Sequence, residues 1–242
     1  MLMVLHREKL NHTPKIAGRY LKSIVYGGLD GIITTFAVVA GVAGASLSSG
    51  IVLILGFANL IGDGISMAIG DYLSTKSEKE YHKLEQSKEK KEILNYPYLE
   101  KGEMILFYKK RGLSDSEANK VVSILSKSKG LWVDTIMREQ LNMFDARESP
   151  LKNGLTTFFS FIIFGIIPLF IYVIKYIFPS FSFNAFIFAI ILTAIALFML
   201  GSTKVKITGK HWFLSGIETL LIGGFAAVAA YLVGYLLAGW VG

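Results

Sequence analysis

The stretch YGGLDGIITTFAVVAG, residues 26–41, decides how this chain is to be read. It is apolar and glycine-rich, it contains no basic residue, and a single carboxylate, Asp30, sits inside it. An acid in so apolar a run belongs either in a protein core or in a membrane, and the rest of the chain selects the membrane. Of 242 residues, 52% are hydrophobic, the mean hydropathy is +0.51, and charged residues make up only 18%. The charges are also unevenly spread, with 13 of the 18 acidic side chains between residues 75 and 151. Outside that interval, apolar stretches near 23–45, 50–74, 153–174, 183–201 and 212–240 approach or exceed the roughly 20 residues that span a bilayer as helix. The first is no signal peptide, because a polar arm precedes it and no compact cleavage site follows.

The short connections carry an orientation signal. Arg7, Lys9, Lys15, Arg19 and Lys22 precede span one, and Lys204, Lys206 and Lys210 lie between spans four and five, whereas the opposite-side segments carry only Lys175. By the positive-inside bias, the N-terminus and the 75–151 insert are expected in the cytoplasm and the C-terminus outside. The expected organisation is an N-terminal arm (1–22), spans one and two (23–74), a helical insert (75–151) and spans three to five (152–242). The fold class is an all-α membrane protein with five transmembrane helices and a helical cytoplasmic insert between spans two and three. Within the insert, a charged helix over 75–94 is expected to end at Asn95-Tyr96-Pro97, and a second to start at Pro97 and stop at Gly112. Ser114-Asp-Ser-Glu117 reads as a capping box opening a third helix to about Ser128. A fourth covers Leu131 to Met143, and Pro150 breaks the chain before span three.

Net charge +7 would ordinarily suggest nucleic acid, but the basic residues alternate with acids and flank a membrane, so no nucleic-acid partner is expected. The absence of cysteine excludes disulfides, thiolate metal sites and cysteine nucleophiles.

Acids within spans are expensive, and each is therefore a candidate functional group. Asp30, Asp63, Asp71 and Glu218 qualify, and no Lys or Arg lies deep in a span to pair with them. At about 1.5 Å per residue, Asp30, Met67 and Glu218 each lie roughly 10 Å inside the cytoplasmic ends of their helices. On span two, Asn59, Asp63, Met67 and Asp71 recur every four residues and so share one helix face. Oxygen ligands suit hard or borderline divalent cations and a thioether suits softer ones, so a Met among carboxylates leans toward ferrous-type metals. A lone Met is more often plain packing, and glycines beside the acids serve close helix crossings in most membrane proteins.

The insert carries a second acidic pattern. Glu78, His82, Glu85, Glu89 and Glu92 step by four and three along one helix face, and Glu100 and Glu103 form another pair. Like charges at that spacing oppose a helix unless a cation joins them, although a solvated charged face is the commoner origin of such a run. Met137 and Glu139, with Gln140, offer further ligands.

Three segments, YGGLDGIITTFAVVAG at 26–41, SMAIGDYLS at 66–74 and SGIETLLIGG at 215–224, together with the charged insert, resemble the vacuolar iron transporter family, which includes nodulin-21-like and many prokaryotic members. The resemblance implies a homodimer of five-helix subunits in which ferrous iron or a similar divalent metal leaves the cytoplasm in exchange for protons. Metal ions are then cargo, with no resident cofactor, and membrane lipid is the surrounding partner. It assigns the transport site to Asp30 and Met67, places Asn59 where the family has a glutamate, and Asp71 where its Met-Ala-x-Gly-Glu motif ends. It implies a cytoplasmic metal-binding cluster at Glu89, Glu92, Glu100, Glu103 and Met137, with Gln140 in place of a glutamate and Glu139 beside it.

Taken together, transport-site ligands are expected from Asp30, Asn59, Asp63, Met67, Asp71 and Glu218. Cytoplasmic ligands are expected from Glu85, Glu89, Glu92, Glu100, Glu103, Met137 and Glu139. The favoured function is a proton-coupled exporter of ferrous iron or manganese and not an enzyme, in a membrane compatible with that of a prokaryotic cell. Two other classes compete: a membrane-anchored metal sensor, and an intramembrane aspartyl protease built on Asp30 and Asp63.

Overall fold

The computed structural model describes residues 20–144, 149–180, 183–205 and 211–241. The basic residues Arg7, Lys9, Lys15, Arg19, Lys206 and Lys210 that carried much of the orientation argument lie outside these. The helices are α1 (Leu21–Gly44), α2 (Ser49–Asn95), α3 (Pro97–Lys110), α4 (Asp115–Leu125), α5 (Lys129–Thr135), α6 (Pro150–Ile177), α7 (Ala185–Thr203) and α8 (Trp212–Val241). The described residues contain no strand. Five helices, α1, α2, α6, α7 and α8, are long and apolar enough to cross a membrane. The chain divides into a membrane unit, Met1–Tyr72 with Glu148–Gly242, and a charged unit, Leu73–Arg147.

In the membrane unit α1 packs against α6, α7 and α8, α7 lies against both α6 and α8, and Phe36, Val39, Val52, Leu60, Phe161 and Leu169 form the main core. Between lipid-immersed helices there is little hydrophobic gain in association, so small residues that admit close backbone contact matter most. Gly27 and Gly31, one turn apart on α1, supply it against α6. A Cβ on Gly27 would stand 2.6 Å from the Thr157 carbonyl oxygen, and one on Gly31 would overlap the Phe161 carbonyl. At the other end of α1, Gly234 of α8 rests directly on the Gly41 backbone.

Two expectations about where the membrane helices begin and end change. Span two and the charged run at 75–94 form one unbroken 47-residue helix. No Pro or Gly falls between Gly70 and Asn95, and the Lys, Glu, Leu and Gln that fill the interval are good helix formers. Pro150 does not break the chain ahead of span three. It occupies the first turn of α6 itself, where its missing N–H would have had no helical partner.

The charged unit is assembled largely from its expected signals. Pro97 opens α3, and Gly112, at φ +100°, terminates it. The Ser114–Glu117 capping box is formed in both directions. The last helix differs from expectation. It begins at Lys129 because the Ser128 hydroxyl accepts from the Leu131 N–H at 3.4 Å, and it is α-helical only to Thr135. A π-helical turn, Ile136–Gln140, follows and ends before Met143. Ile93, Met104, Val122, Trp132, Val133, Ile136 and Met137 make the unit's apolar core.

The α1–α8 contact yields a stability prediction. Gly234→Ala forces a methyl into the Gly41 backbone and should destabilise the membrane unit by about 1–3 kcal/mol, the usual cost of overpacking. Gly239→Ala, whose Cβ would meet nothing within 4 Å, should be nearly neutral. Thermal unfolding of the two variants in detergent checks the difference.

Candidate metal sites

In the charged unit, Glu89 and Glu92 lie on adjacent turns near the end of α2. The chain reverses at Tyr96, whose N–H donates to the Glu92 carbonyl at 2.7 Å, and Pro97 starts α3 in a new direction. This reversal brings Glu100 against the end of α2. One carboxylate oxygen from each of Glu89, Glu92 and Glu100 lies within 4.8 Å of the others, a spacing that a single metal ion could bridge. Glu89 and Glu100 are only 9% and 7% exposed, so the charges are packed where water screens them poorly. Burial, reinforced by Glu92, Glu100, Glu85 and Glu103, pushes the Glu89 carboxyl up to about 7. Burial, with Glu103 and Glu92, also raises Glu100.

The other acids predicted for this cluster have different surroundings. Glu85 forms an ion pair with Lys88 at 2.7 Å. Glu103 is exposed and acts on Glu89 and Glu100 through its charge. Glu139 pairs with Arg111 at 3.3 Å and takes a hydrogen bond from Tyr108, whose hydroxyl is pushed up to about 12 chiefly by burial. Arg111 also stacks on Phe107, 4.4 Å from the ring centre, and its hydrogen bonds to Glu139 tie the end of α3 to the π-helical turn. Met137 is buried in the apolar core, 1% exposed. The Gln140 amide nitrogen, also buried, has no hydrogen-bond partner.

In the membrane unit, Asp30 and Asp63 are half-buried, and the Asp63 carboxylate lies near enough for its charge to reach Asp30. Met67, one turn from Asp63, is half-buried against the main core. The Asn59 amide donates to the Thr34 hydroxyl at 3.5 Å, and Thr34 donates in turn to the Asp30 carbonyl at 2.8 Å. Asp71, at the foot of the same stripe, is held differently: its Oδ2 accepts from Ser23 of α1 at 2.9 Å and from Thr157 of α6 at 2.5 Å. Glu218 lies on the exposed face of α8, and among the described residues no contact joins it to the other acids. Ser23, Thr34 and Thr157 are absent from the sequence-derived set. For Ser23 and Thr34 the signal was position, two helical turns before Asp30 and one after it, whereas Thr157 lies on another helix and carried none.

A family model described as the VIT family matches residues 21–235. The chain belongs to the VIT family. It is 40% identical to a vacuolar iron transporter of Toxoplasma gondii over 96% of this chain and 78% of the relative. Against the vacuolar iron transporter of Plasmodium falciparum the identity is 35%, covering 90% of this chain and 82% of the relative. Against vacuolar iron transporter 1 of Arabidopsis thaliana it is 33%, covering 91% and 88%. This VIT family member is accordingly a multi-pass integral membrane protein, as its five long apolar helices require.

The glutamate cluster makes its pH dependence explicit. An unfolded Glu ionises near 4.5 while folded Glu89 holds its proton to about 7. Between those values the folded state binds more protons, so stability falls as pH rises through the window and is level on either side. The loss should be on the order of 1 kcal/mol after allowance for solvent screening. Protection factors of the α2–α3 corner in the full-length, metal-free protein, corrected for the intrinsic pH dependence of amide exchange, should therefore fall between pH 4.5 and 7. Glu89→Gln should flatten the profile.

Proposed function

We propose that this chain is a secondary transporter, not an enzyme, that carries a divalent transition-metal ion, ferrous iron or manganese, out of the cytoplasm in exchange for protons. The observation that carries the reading is the convergence of Glu89, Glu92 and Glu100 within 4.8 Å, with two of the three buried. An isolated protein gains nothing by packing three acids together. A divalent cation offsets their repulsion, and carboxylate oxygens suit ferrous and manganous ions. The relatives' name, vacuolar iron transporter, points to the same cargo.

In this reading the glutamate cluster collects metal from the cytoplasm, and the membrane unit passes it on through Asp30, Asp63 and Met67. Asn59 contributes a neutral oxygen where a carboxylate would add charge. Proton coupling follows from the ligand chemistry, because a carboxylate must lose its proton before it binds a cation. Metal and proton therefore compete for the same oxygens, and an inward proton gradient drives metal outward. Orientation follows the positive-inside bias, with the N-terminus and the charged unit cytoplasmic. A prokaryotic cell membrane fits the lysine-rich, cysteine-free composition, while the relatives' name indicates a vacuole. Export from the cytoplasm is the same vectorial step in both. A homodimer is favoured because half-exposed Asp30 and Asp63 cannot face hydrocarbon without large cost. A second copy over that face would enclose them.

Reconstitution tests this directly. Proteoliposomes should move ferrous and manganous ions, with counter-movement of protons recorded by an enclosed pH dye. Asp30→Ala should lower the flux by at least about tenfold, the loss of one charged ligand interaction of 1.4 kcal/mol or more. Metal movement indifferent to an imposed pH gradient would instead indicate a uniporter.

A further inference from the structure

Asp71 lies on the stripe that bears Asp63 and Met67, yet its surroundings differ from theirs. A single oxygen, Oδ2, receives two hydroxyl donors from two other helices, Ser23 of α1 and Thr157 of α6. Both donors are buried, at 6% and 0% exposure. Hydroxyls in helices commonly turn back to the carbonyl one turn earlier, as Thr34, Ser202 and Thr219 do here. Ser23 and Thr157 instead reach 48 and 86 residues along the chain to one carboxylate. Beside them Ser160 of α6 donates to the Ile24 carbonyl of α1 at 2.6 Å, and Gly154 of α6 sits against the Ala68 carbonyl of α2. Three helices are thus clasped at one level. Ser23 is two turns from Asp30 on α1, and Asp71 is one turn from Met67 and two from Asp63 on α2, so the clasp sets the register of both ligand-bearing faces.

We propose that Asp71 is not a metal ligand in this protein but the acceptor of a three-helix clasp, and that Ser23 and Thr157 are positioning residues for the metal path. The inference rests on the transport reading above. Its distinguishing feature is the use of one oxygen. A carboxamide retains one acceptor oxygen of the same geometry, so the clasp survives the change to Asn. A metal-binding carboxylate does not survive it, because the charge is lost.

The experiment measures manganous flux against concentration in proteoliposomes for wild type, Asp71→Asn, Asp71→Ala, Thr157→Val, Thr157→Ser, Ser23→Ala and Asp30→Asn. Asp71→Asn and Thr157→Ser should stay within about threefold of wild type in KM and maximal rate, since each keeps its hydrogen bonds. Thr157→Val and Asp71→Ala should each raise KM by about tenfold, as expected for losing a hydrogen bond to a charged group that orients the site. Ser23→Ala, tested in the same way, serves if Thr157→Val does not fold. Adding Thr157→Val to Asp71→Ala should cost little more, because both remove the same clasp. A collapse of Asp71→Asn to the level of Asp30→Asn would overturn the proposal and make Asp71 a ligand. An unchanged KM in Thr157→Val and Ser23→Ala, with only a lowered melting temperature, would overturn it too and leave a merely structural contact. A wild-type protein that moves no metal would remove the transport reading itself, an outcome separate from either.

Discussion

The membrane unit depends on one close approach, that of α1 to α6. Lipid chains are as apolar as leucine, so two helices in a bilayer are held by contact distance and by polar groups. Gly27 and Gly31 remove the side chains that would otherwise hold α1 away from the Thr157 and Phe161 carbonyls. With the backbones this near, short hydroxyls suffice to cross the gap, and Ser160 reaches the Ile24 carbonyl. The same proximity sets the level at which Ser23 and Thr157 meet the carboxylate of Asp71. Asp30 stands between Gly27 and Gly31 in sequence, so the crossing that fixes the fold also fixes the depth and direction of the acid in span one.

Three groups of acids in this chain meet the cost of charge differently. Asp71 is satisfied by hydroxyls. Glu85 and Glu139 are satisfied by Lys88 and Arg111, at separations where an exposed pair contributes little beyond local order. Glu89, Glu92 and Glu100 are set against one another, and burial of Glu89 and Glu100 raises the cost of ionising them. That third arrangement disfavours the folded state unless a proton or a cation joins it. It is therefore the feature most directly suggestive of binding, and it couples proton and metal occupancy through one set of oxygens.

Legibility in the sequence followed the range of the interaction. The five spans, the stop at Gly112 and the capping box at Ser114 and Glu117 are local matters of hydropathy, left-handed backbone and i,i+3 hydrogen bonding, and each was readable. The reading erred where two local signals competed. A change from apolar to charged composition near residue 75 suggested a boundary, but composition does not end a helix and α2 continues. Spacing placed Glu89 and Glu92 on one face of a helix and Glu100 with Glu103 on the next, while the corner at Tyr96 and Pro97 that brings Glu89, Glu92 and Glu100 together is a tertiary fact.

By itself the sequence determined that this is a five-helix membrane protein with a charged helical unit, because burying charge in hydrocarbon is so costly that hydropathy alone sorts the segments. It also singled out the acids that need partners, since their rarity within apolar runs is visible in one dimension. Which partner each acid has was decided by the tertiary structure alone. Spacing along span two made Asp63, Met67 and Asp71 equivalent, yet Asp63 lies near Asp30 and Asp71 is taken up by Ser23 and Thr157. Helical periodicity defines a face but not what stands opposite it, and the helices opposite come from 48 residues earlier and 86 residues later in the chain.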